Sequence, residues 1–325
     1  MQRRQLLAAL GAAPLAPFAT LAHAQGGWPA QPIRWVVPYP PGGGTDVLAR
    51  TVAEALRSEL GQQIVVDNRP GASTNIGSQA VASARPDGYT VMSADNALLA
   101  YNEHLFSKLP FSPEKDFTYV AGLSRFPLAL VVHPDFPART LQDFLAHVRA
   151  RPGEVNYASP GNGSPHHLAM EMFKHRTGTF LTHIPYRGAA PAMQDVMGGQ
   201  VPCMFLDLAA GLPVIQSGKV RALAIGSAQR VPALPDLPTL AEAGVADSEV
   251  YAFQGVLAPA GLPAEVTTRL NAAVNQALKA PAVVQRMQAF GMEPLPGTPA
   301  QFRALARAEA KRWGPIIRAT GVKLD

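Results

Sequence analysis

IRWVVPYPPGGGTD, residues 33–46, is a short apolar run followed by a glycine-rich loop. The run Ile33–Pro38 predicts a buried strand, because bulky apolar residues stand together before a set of turn residues. Past the loop, an apolar side chain recurs every four positions and predicts a helix from about 46 to 60: Leu48, Val52, Leu56 and Leu60. Thr45 or Asp46 is expected to cap the start of this helix, and Gly61 to end it. This order indicates one unit of an α/β fold.

The alternation continues along the chain. Strands are predicted at Ile64–Val66 and Tyr89–Ser93, with a helix near Asn75–Ala84 between them. Past residue 125, TLQD at 140–143 is a capping box that opens a helix. A strand end at Asn156–Ala158, the loop SPGNGSP and a further helix follow. Later strands are expected at the following ranges: His183–Tyr186, Val201–Leu206, Val220–Ile225 and Val250–Leu257. The chain should be helical from Pro263. This pattern predicts mostly parallel sheets, and two halves joined by strands that pass between them.

The first 24 residues have the pattern of an export signal. Arg3-Arg4 precede an apolar stretch from Leu6 to Leu21, and Ala22-His23-Ala24 is a cleavage pattern. Cleavage after Ala24 and a periplasmic location are therefore expected. General secretion is favoured over the twin-arginine pathway, and both stay open.

Composition excludes several classes of function. Cys203 is the only cysteine, so no disulfide framework exists, and its apolar neighbours predict a buried strand residue. The formal net charge of +5 is scattered along the sequence. The densest basic cluster has the spacing of a solvated helix face, so no nucleic-acid partner is expected: Arg303, Arg307, Lys311 and Arg312.

Two glycine-rich loops carry the functional prediction: YPPGGGTD at 39–46 and SPGNGS at 159–164. Each stands between a strand and a helix, where backbone N–H groups are unpaired and glycine permits a close approach. Two such loops, one in each half, predict a cleft that binds both ends of one small anion. Further polar residues end neighbouring strands, either to bind a ligand hydroxyl or ammonium group or to form turns: Asp95, Asn96 and Asp207.

Enzyme and cofactor motifs do not fit these loops. GGGTD lacks the third glycine of a dinucleotide fingerprint and the lysine of a P-loop, and SPGNGSP is not a nucleophile elbow. His167 and Glu171 have metal-ligand spacing, but no third ligand is evident, so a helix-start or packing role is favoured. We expect no cofactor, no metal and no catalytic residue.

Seven segments together resemble the Bug family of extracytoplasmic solute receptors, which serve tripartite tricarboxylate transporters. They span nearly the whole chain in order: residues 33–50, 65–77, 86–91, 156–173, 183–201, 217–230 and 255–263. The resemblance implies a type II periplasmic-binding-protein fold with the ligand in the cleft between two α/β lobes. It divides the chain into a discontinuous lobe 1, residues 25–125 plus 250–325, and a lobe 2, residues 126–249.

The resemblance also implies a small organic acid as ligand and membrane transporter subunits as partners, for a receptor expected to be monomeric. The alternatives are a receptor that presents its ligand to a membrane sensor kinase, or a secreted enzyme. The full set of predicted ligand-binding residues is Tyr39, Gly43, Gly44, Thr45, Asp46, Thr74, Asp95, Asn96, Ser159, Gly161, Asn162, Ser164, His167 and Asp207. Departures from the family pattern at Ser73, Asp95 and Leu206 leave the choice among dicarboxylate, amino acid and aromatic acid open.

Overall fold

The computed structural model describes residues 27–325, and helices and strands alternate through this range. The predicted signal peptide lies outside the described residues. The strands are β1 (Ile33–Val37), β2 (Ile64–Asn68), β3 (Thr90–Asp95), β4 (Phe117–Val132), β5 (Asn156–Ser159), β6 (Thr182–Pro185), β7 (Cys203–Asp207), β8 (Arg221–Ile225), β9 (Tyr251–Pro259) and β10 (Glu293–Pro294). The helices are α1 (Gly44–Leu60), α2 (Asn75–Ala82), α3 (Asn102–Leu105), α4 (Leu141–Ala150), α5 (Pro165–Thr177), α6 (Ala189–Met197), α7 (Leu208–Gln216), α8 (Ala264–Ala277), α9 (Pro281–Ala289) and α10 (Pro299–Thr320). A π-helical turn, Ala97–Tyr101, precedes α3.

Two parallel groups of strands are joined by one long antiparallel pair. The strand order is β2-β1-β3-β9-β4-β7-β5-β6, and β8 and β10 also pair with β4. β1 is parallel to β2 and β3, and β5 is parallel to β6 and β7. β4 pairs with β9 as far as Pro127, then with β7 and β8 from Leu128 or Ala129 onward. This α/β architecture confirms the predicted fold class, whereas the exact lobe boundaries stay a prediction.

The opening segment folds as its pattern predicts. Four of the five β1 residues are buried, as expected for a strand covered on both faces. The apolar stripe of α1 is buried at all four predicted positions: Leu48, Val52, Leu56 and Leu60. Burying each such side chain stabilises the fold by about 1.5–3 kcal/mol. Gly61 ends the helix in a left-handed conformation, with its N–H bonded to the Arg57 carbonyl.

The predicted cap of α1 is wrong. The helix begins at Gly44, two residues early, and Gly43 is its N-cap without a side-chain hydrogen bond. The Thr45 hydroxyl instead accepts a hydrogen bond from the Gln254 side chain at 2.7 Å, because β9 passes directly beside the helix start. The first turn of α1 therefore keeps its backbone N–H groups free of a side-chain cap.

Other differences are small. β3 and β7 run further than predicted and take in Asp95 and Asp207. The capping box at Thr140 and Asp143 is present, and Cys203 is fully buried in β7, as predicted. The short β10 interrupts the region predicted to be helical. Within residues 27–325, no helix has the length and apolar character of a membrane span.

Candidate ligand-binding cleft

A cavity lies where the two parallel groups of strands meet. From the first group and the crossing strands it is lined by Tyr39, Pro40, Gly43, Gly44, Thr45, Asp95, Phe126, Ala252 and Gln254. From the second group it is lined by Pro160, Pro165, His166, Ala189 and Asp207. The cavity thus sits at the carboxyl ends of the strands and at helix starts, the usual ligand position in an open α/β sheet.

Two helices point uncapped N-termini at this cavity. Gly43 precedes α1 and Gly188 precedes α6, and neither N-cap residue makes a side-chain cap hydrogen bond. Gly188 has a φ of +119°, which glycine adopts without strain. Free N–H groups and the helix dipole together favour an anion at both positions.

Asp95 ends β3 beneath the first loop. Its Oδ2 accepts a hydrogen bond from the Tyr39 hydroxyl at 2.8 Å, and its Oδ1 accepts one from the Ala97 N–H at 3.1 Å. Burial raises the pKa of Asp95 to about 6, even though these hydrogen bonds oppose the shift. The same burial, with the adjacent carboxylate, raises the pKa of Tyr39 well above its usual value.

Asp207 ends β7 and caps α7. Its Oδ1 accepts a hydrogen bond from the Ala210 N–H at 2.8 Å, and its Oδ2 lies 2.9 Å from His166 Nε2. Both residues are buried, at 1% exposure for Asp207 and 8% for His166. The other ring nitrogen, His166 Nδ1, is buried and has no hydrogen-bond partner among the described residues.

Gln254 contributes the remaining polar side chain of the cavity. It lies in β9, is 1% exposed, and donates its amide N–H to Thr45. Within residues 27–325, its Oε1 finds no hydrogen-bond partner. A buried polar atom without a partner is costly, so Gln254 Oε1 and His166 Nδ1 are both places where a ligand can complete a hydrogen bond.

Some predicted residues stand behind the cavity and support it. Asp46 binds Arg50, Asn68 and the Gly42 N–H. Burial acts to raise the pKa of Asp46, but these hydrogen bonds outweigh it and lower that pKa. Asp46 therefore holds the first loop against α1 and β2.

Thr74 and Asn96 also lie outside the cavity lining. Thr74 sits buried at the start of α2, where its hydroxyl oxygen accepts a 3.4 Å hydrogen bond from Asn102. The Asn96 side chain donates to the Tyr251 carbonyl and accepts from the Phe253 N–H. It thereby ties the end of β3 to β9.

The second loop is ordered by its own side chains. Ser164 caps α5 by accepting a 3.3 Å hydrogen bond from the His167 N–H, and it donates to the Gly161 carbonyl. Asn162 contributes its carbonyl, which accepts a hydrogen bond from Ser73 Oγ at 2.7 Å. Among the described residues this loop reaches the cavity through Pro160, Pro165 and His166, whereas Ser159, Gly161, Asn162 and Ser164 are not part of the lining.

His167 belongs to a stacked group under the second loop. Its ring lies 4.1 Å from the ring of His183, which in turn stacks on Tyr157 at 4.8 Å. Gly163 donates its N–H to His167 Nδ1, and Ser159 Oγ lies 2.6 Å from His183 Nε2. Burial lowers the pKa of His167 to about 4 and that of His183 to about 3, so both rings are neutral near pH 7.

Sequence reasoning missed several lining residues: Phe126, Ala189, His166 and Gln254. Gln254 carried a signal, because it is the single polar residue in the apolar run of β9. His166 stands in the first turn of α5, directly before the predicted residue His167. Across residues 27–325, no three His, Cys, Asp or Glu side chains form a group suited to a metal ion.

Comparison with known proteins identifies the family. Residues 48–322 match the model of the tripartite tricarboxylate transporter family receptor. The chain belongs to this family. It is 40% identical over 298 residues to protein BugT of Bordetella pertussis, with 91% of each chain covered. The predicted membership of the Bug family is therefore confirmed, and the chain is a solute-binding receptor of this periplasmic family.

Solved structures of the family have the same fold. A Rhodopseudomonas palustris protein with adipate is 36% identical, with a TM-score of 0.88 over 90% of this chain and 98% of that one. MatC from the same species, with bound malate, is 32% identical, with a TM-score of 0.85 over 89% of this receptor and all of MatC.

Proposed function

We propose that this receptor captures a small organic carboxylate in the cavity and releases it unchanged. The observation that carries the proposal is the convergence of two uncapped helix starts, at Gly43 and Gly188, on one buried cavity. A hydrogen bond to a charged group contributes about 1.5–3 kcal/mol net, so a few of them reach the roughly 8 kcal/mol of micromolar binding. The adipate and malate complexes of the two relatives support an acid as ligand.

The proposed contact set is narrower than the set predicted from sequence. Residues that line the cavity contact the ligand, namely Tyr39, Gly43, Gly44, Thr45, Asp95 and Asp207, together with His166 and Gln254. The remaining predicted residues act by shaping the loops: Asp46, Thr74, Asn96, Ser159, Gly161, Asn162, Ser164 and His167. Hydrogen bonds to neighbouring protein groups, rather than ligand contacts, explain the polar side chains among them.

Native mass spectrometry of freshly purified protein, followed by calorimetry with a panel of mono- and dicarboxylic acids and amino acids, tests this function. Thr45→Phe fills the cavity beside Gln254 and should abolish binding, while the circular dichroism spectrum stays unchanged. Thr268→Phe, on the exposed face of α8, is the matched control and should bind normally. A ligand-free protein that binds no member of the panel would overturn the proposal.

We further propose that the receptor is exported after cleavage behind Ala24 and delivers its ligand to membrane subunits of a tripartite tricarboxylate transporter. The family match supports the delivery step. Deletion of the gene should abolish uptake of the labelled ligand, and the Thr45→Phe variant should fail to restore it. N-terminal sequencing of the periplasmic protein should begin at Gln25, and small-angle scattering should show a monomer whose lobes close on the ligand.

A further inference from the structure

The cavity has an unusual balance of charge for an anion site. Its lining contains two carboxylates, Asp95 and Asp207, and one imidazole, His166. No lysine or arginine is among the described residues that line it. A ligand that carried only carboxylates would bring more negative charge beside two buried acids and would meet no lysine or arginine side chain.

Both carboxylates are oriented by the fold and keep acceptor capacity. The Tyr39 hydroxyl and the N–H groups of Ala97 and Leu98 hold Asp95. His166 and the Ala210 N–H hold Asp207. An ionised carboxylate accepts about four hydrogen bonds, so each retains lone pairs for a donor inside the cavity.

The buried polar atoms without partners are also acceptors. Gln254 donates its amide N–H to Thr45, which leaves Oε1 as the free group. In the neutral tautomer that donates from Nε2 to Asp207, the free Nδ1 of His166 accepts as well. The part of the cavity at Gln254 and His166 therefore has acceptors without a hydrogen-bond donor. The helix starts at Gly43 and Gly188, in contrast, supply N–H groups without a side-chain acceptor.

We propose that the ligand is an amino acid in the broad sense, a zwitterion whose protonated amine binds between Asp95 and Asp207 and whose carboxylate faces the helix starts. This inference rests on the proposed function and narrows its ligand class. An ammonium group offers three N–H donors, which match the carboxylates and Gln254 Oε1, and its charge offsets one of the two buried acids.

Matched ligand pairs test the inference on the full mature chain, freed of bound ligand by unfolding and refolding. The pairs are succinate with aspartate, butyrate with 4-aminobutyrate, and 3-phenylpropanoate with phenylalanine. The amino member should bind at least tenfold more tightly in calorimetry in at least one pair, and no desamino acid should bind more tightly than its partner. Binding of desamino acids with equal or higher affinity overturns the inference and leaves the proposed function intact. If neither member of any pair binds and the wider acid panel is also inert, the proposed function itself fails.

Charge-removing variants add a second readout. Asp95→Asn and Asp207→Asn should each reduce the preference for the amino member at least tenfold, because only the amino member loses a charged partner. Asp67→Asn is the control, because Asp67 of β2 pairs with Arg34 of β1 and with Arg69, and it is not part of the cavity lining. An unchanged preference in both cavity variants would show that the amine is not bound there.

Discussion

Asp207 and Gly44 meet across the cavity so closely that only glycine fits. A β-carbon built on Gly44 would lie 2.7 Å from Asp207 Oδ1 and 3.1 Å from the β-carbon of Ala209. Gly44 belongs to the first group of strands and helices, and Asp207 to the second. The two groups of strands and helices therefore approach each other closely at this point. The buried Asp207 carboxylate lies against the N-terminus of α1.

Gly44→Ala should weaken ligand binding at least tenfold without unfolding the protein. The added methyl group overlaps the Asp207 carboxylate in the closed arrangement, whereas alanine at a helix start carries no penalty for the separate halves. Gly43→Ala is the graded comparison, since its β-carbon would meet Ala189 at 3.4 Å, an ordinary contact. Calorimetry on both variants checks the order of the effects. Equal affinities for Gly44→Ala and the parent would show that the ligand-bound form is more open than this structure.

Asp95→Asn should stabilise the ligand-free protein at pH 7.5 by about 3 kcal/mol, because raising the pKa of this carboxyl to about 6 corresponds to that free energy. The folded-state pKa of Asp95 is raised to about 6, so the folded protein binds more protons than the unfolded chain between about pH 4 and 6. The parent therefore loses stability as pH rises through that window, and the variant does not. Tyr39, His166 and Asp207 face Asp95 and stay in place in both proteins. Urea unfolding at pH 4 and pH 7.5 gives the comparison, and a parallel pH dependence of the two proteins would contradict it.

Ser73→Ala should weaken binding about fivefold, mainly through faster release. The Ser73 hydroxyl joins the 71–75 loop to the Asn162 carbonyl, and one such hydrogen bond contributes about 1 kcal/mol net. Ser73 also has a positive φ of 51°, within a run of three such residues. Ser73→Gly should lose the same affinity but gain stability, because glycine relieves the positive φ. Stopped-flow dissociation measures the release rate separately from stability. If both variants release the ligand as slowly as the parent, this hydrogen bond is not made in the ligand-bound form.

His183→Gln should make the protein less sensitive to acid. The pKa values of His167 and His183 are lowered, so the unfolded chain binds more protons than the folded protein between about pH 6.5 and 4. Stability is therefore fully present above about pH 6.5 and falls as pH decreases through this window. The slope of the free energy of unfolding between pH 6.5 and 5 should be smaller in the variant. His175→Gln, at an exposed position of α5, should keep the parent slope.

Periodicity and loop chemistry were enough to predict the strand–loop–helix units, because each depends on neighbours in the sequence. The stripe from Leu48 to Leu60 and the capping box at Thr140 are local features of this kind. Tertiary contact decided the rest. Thr45 became a hydrogen-bond partner of Gln254, 209 residues away, rather than a cap. More residues of each loop were predicted to bind the ligand than line the cavity. A short loop turns some side chains inward, and the others hold its shape.

The crossing of β4 and β9 has a mechanical consequence. Phe126 of β4 and Ala252 of β9 are register partners, and both line the cavity. The next pair, Pro127 and Tyr251, is the last before β4 changes partners. Any change in the angle between the two strand groups must bend the backbone at this crossing, which lines the cavity. A ligand bound as proposed would therefore lie on the pivot, and we expect ligands of different length or bulk to give different closure angles.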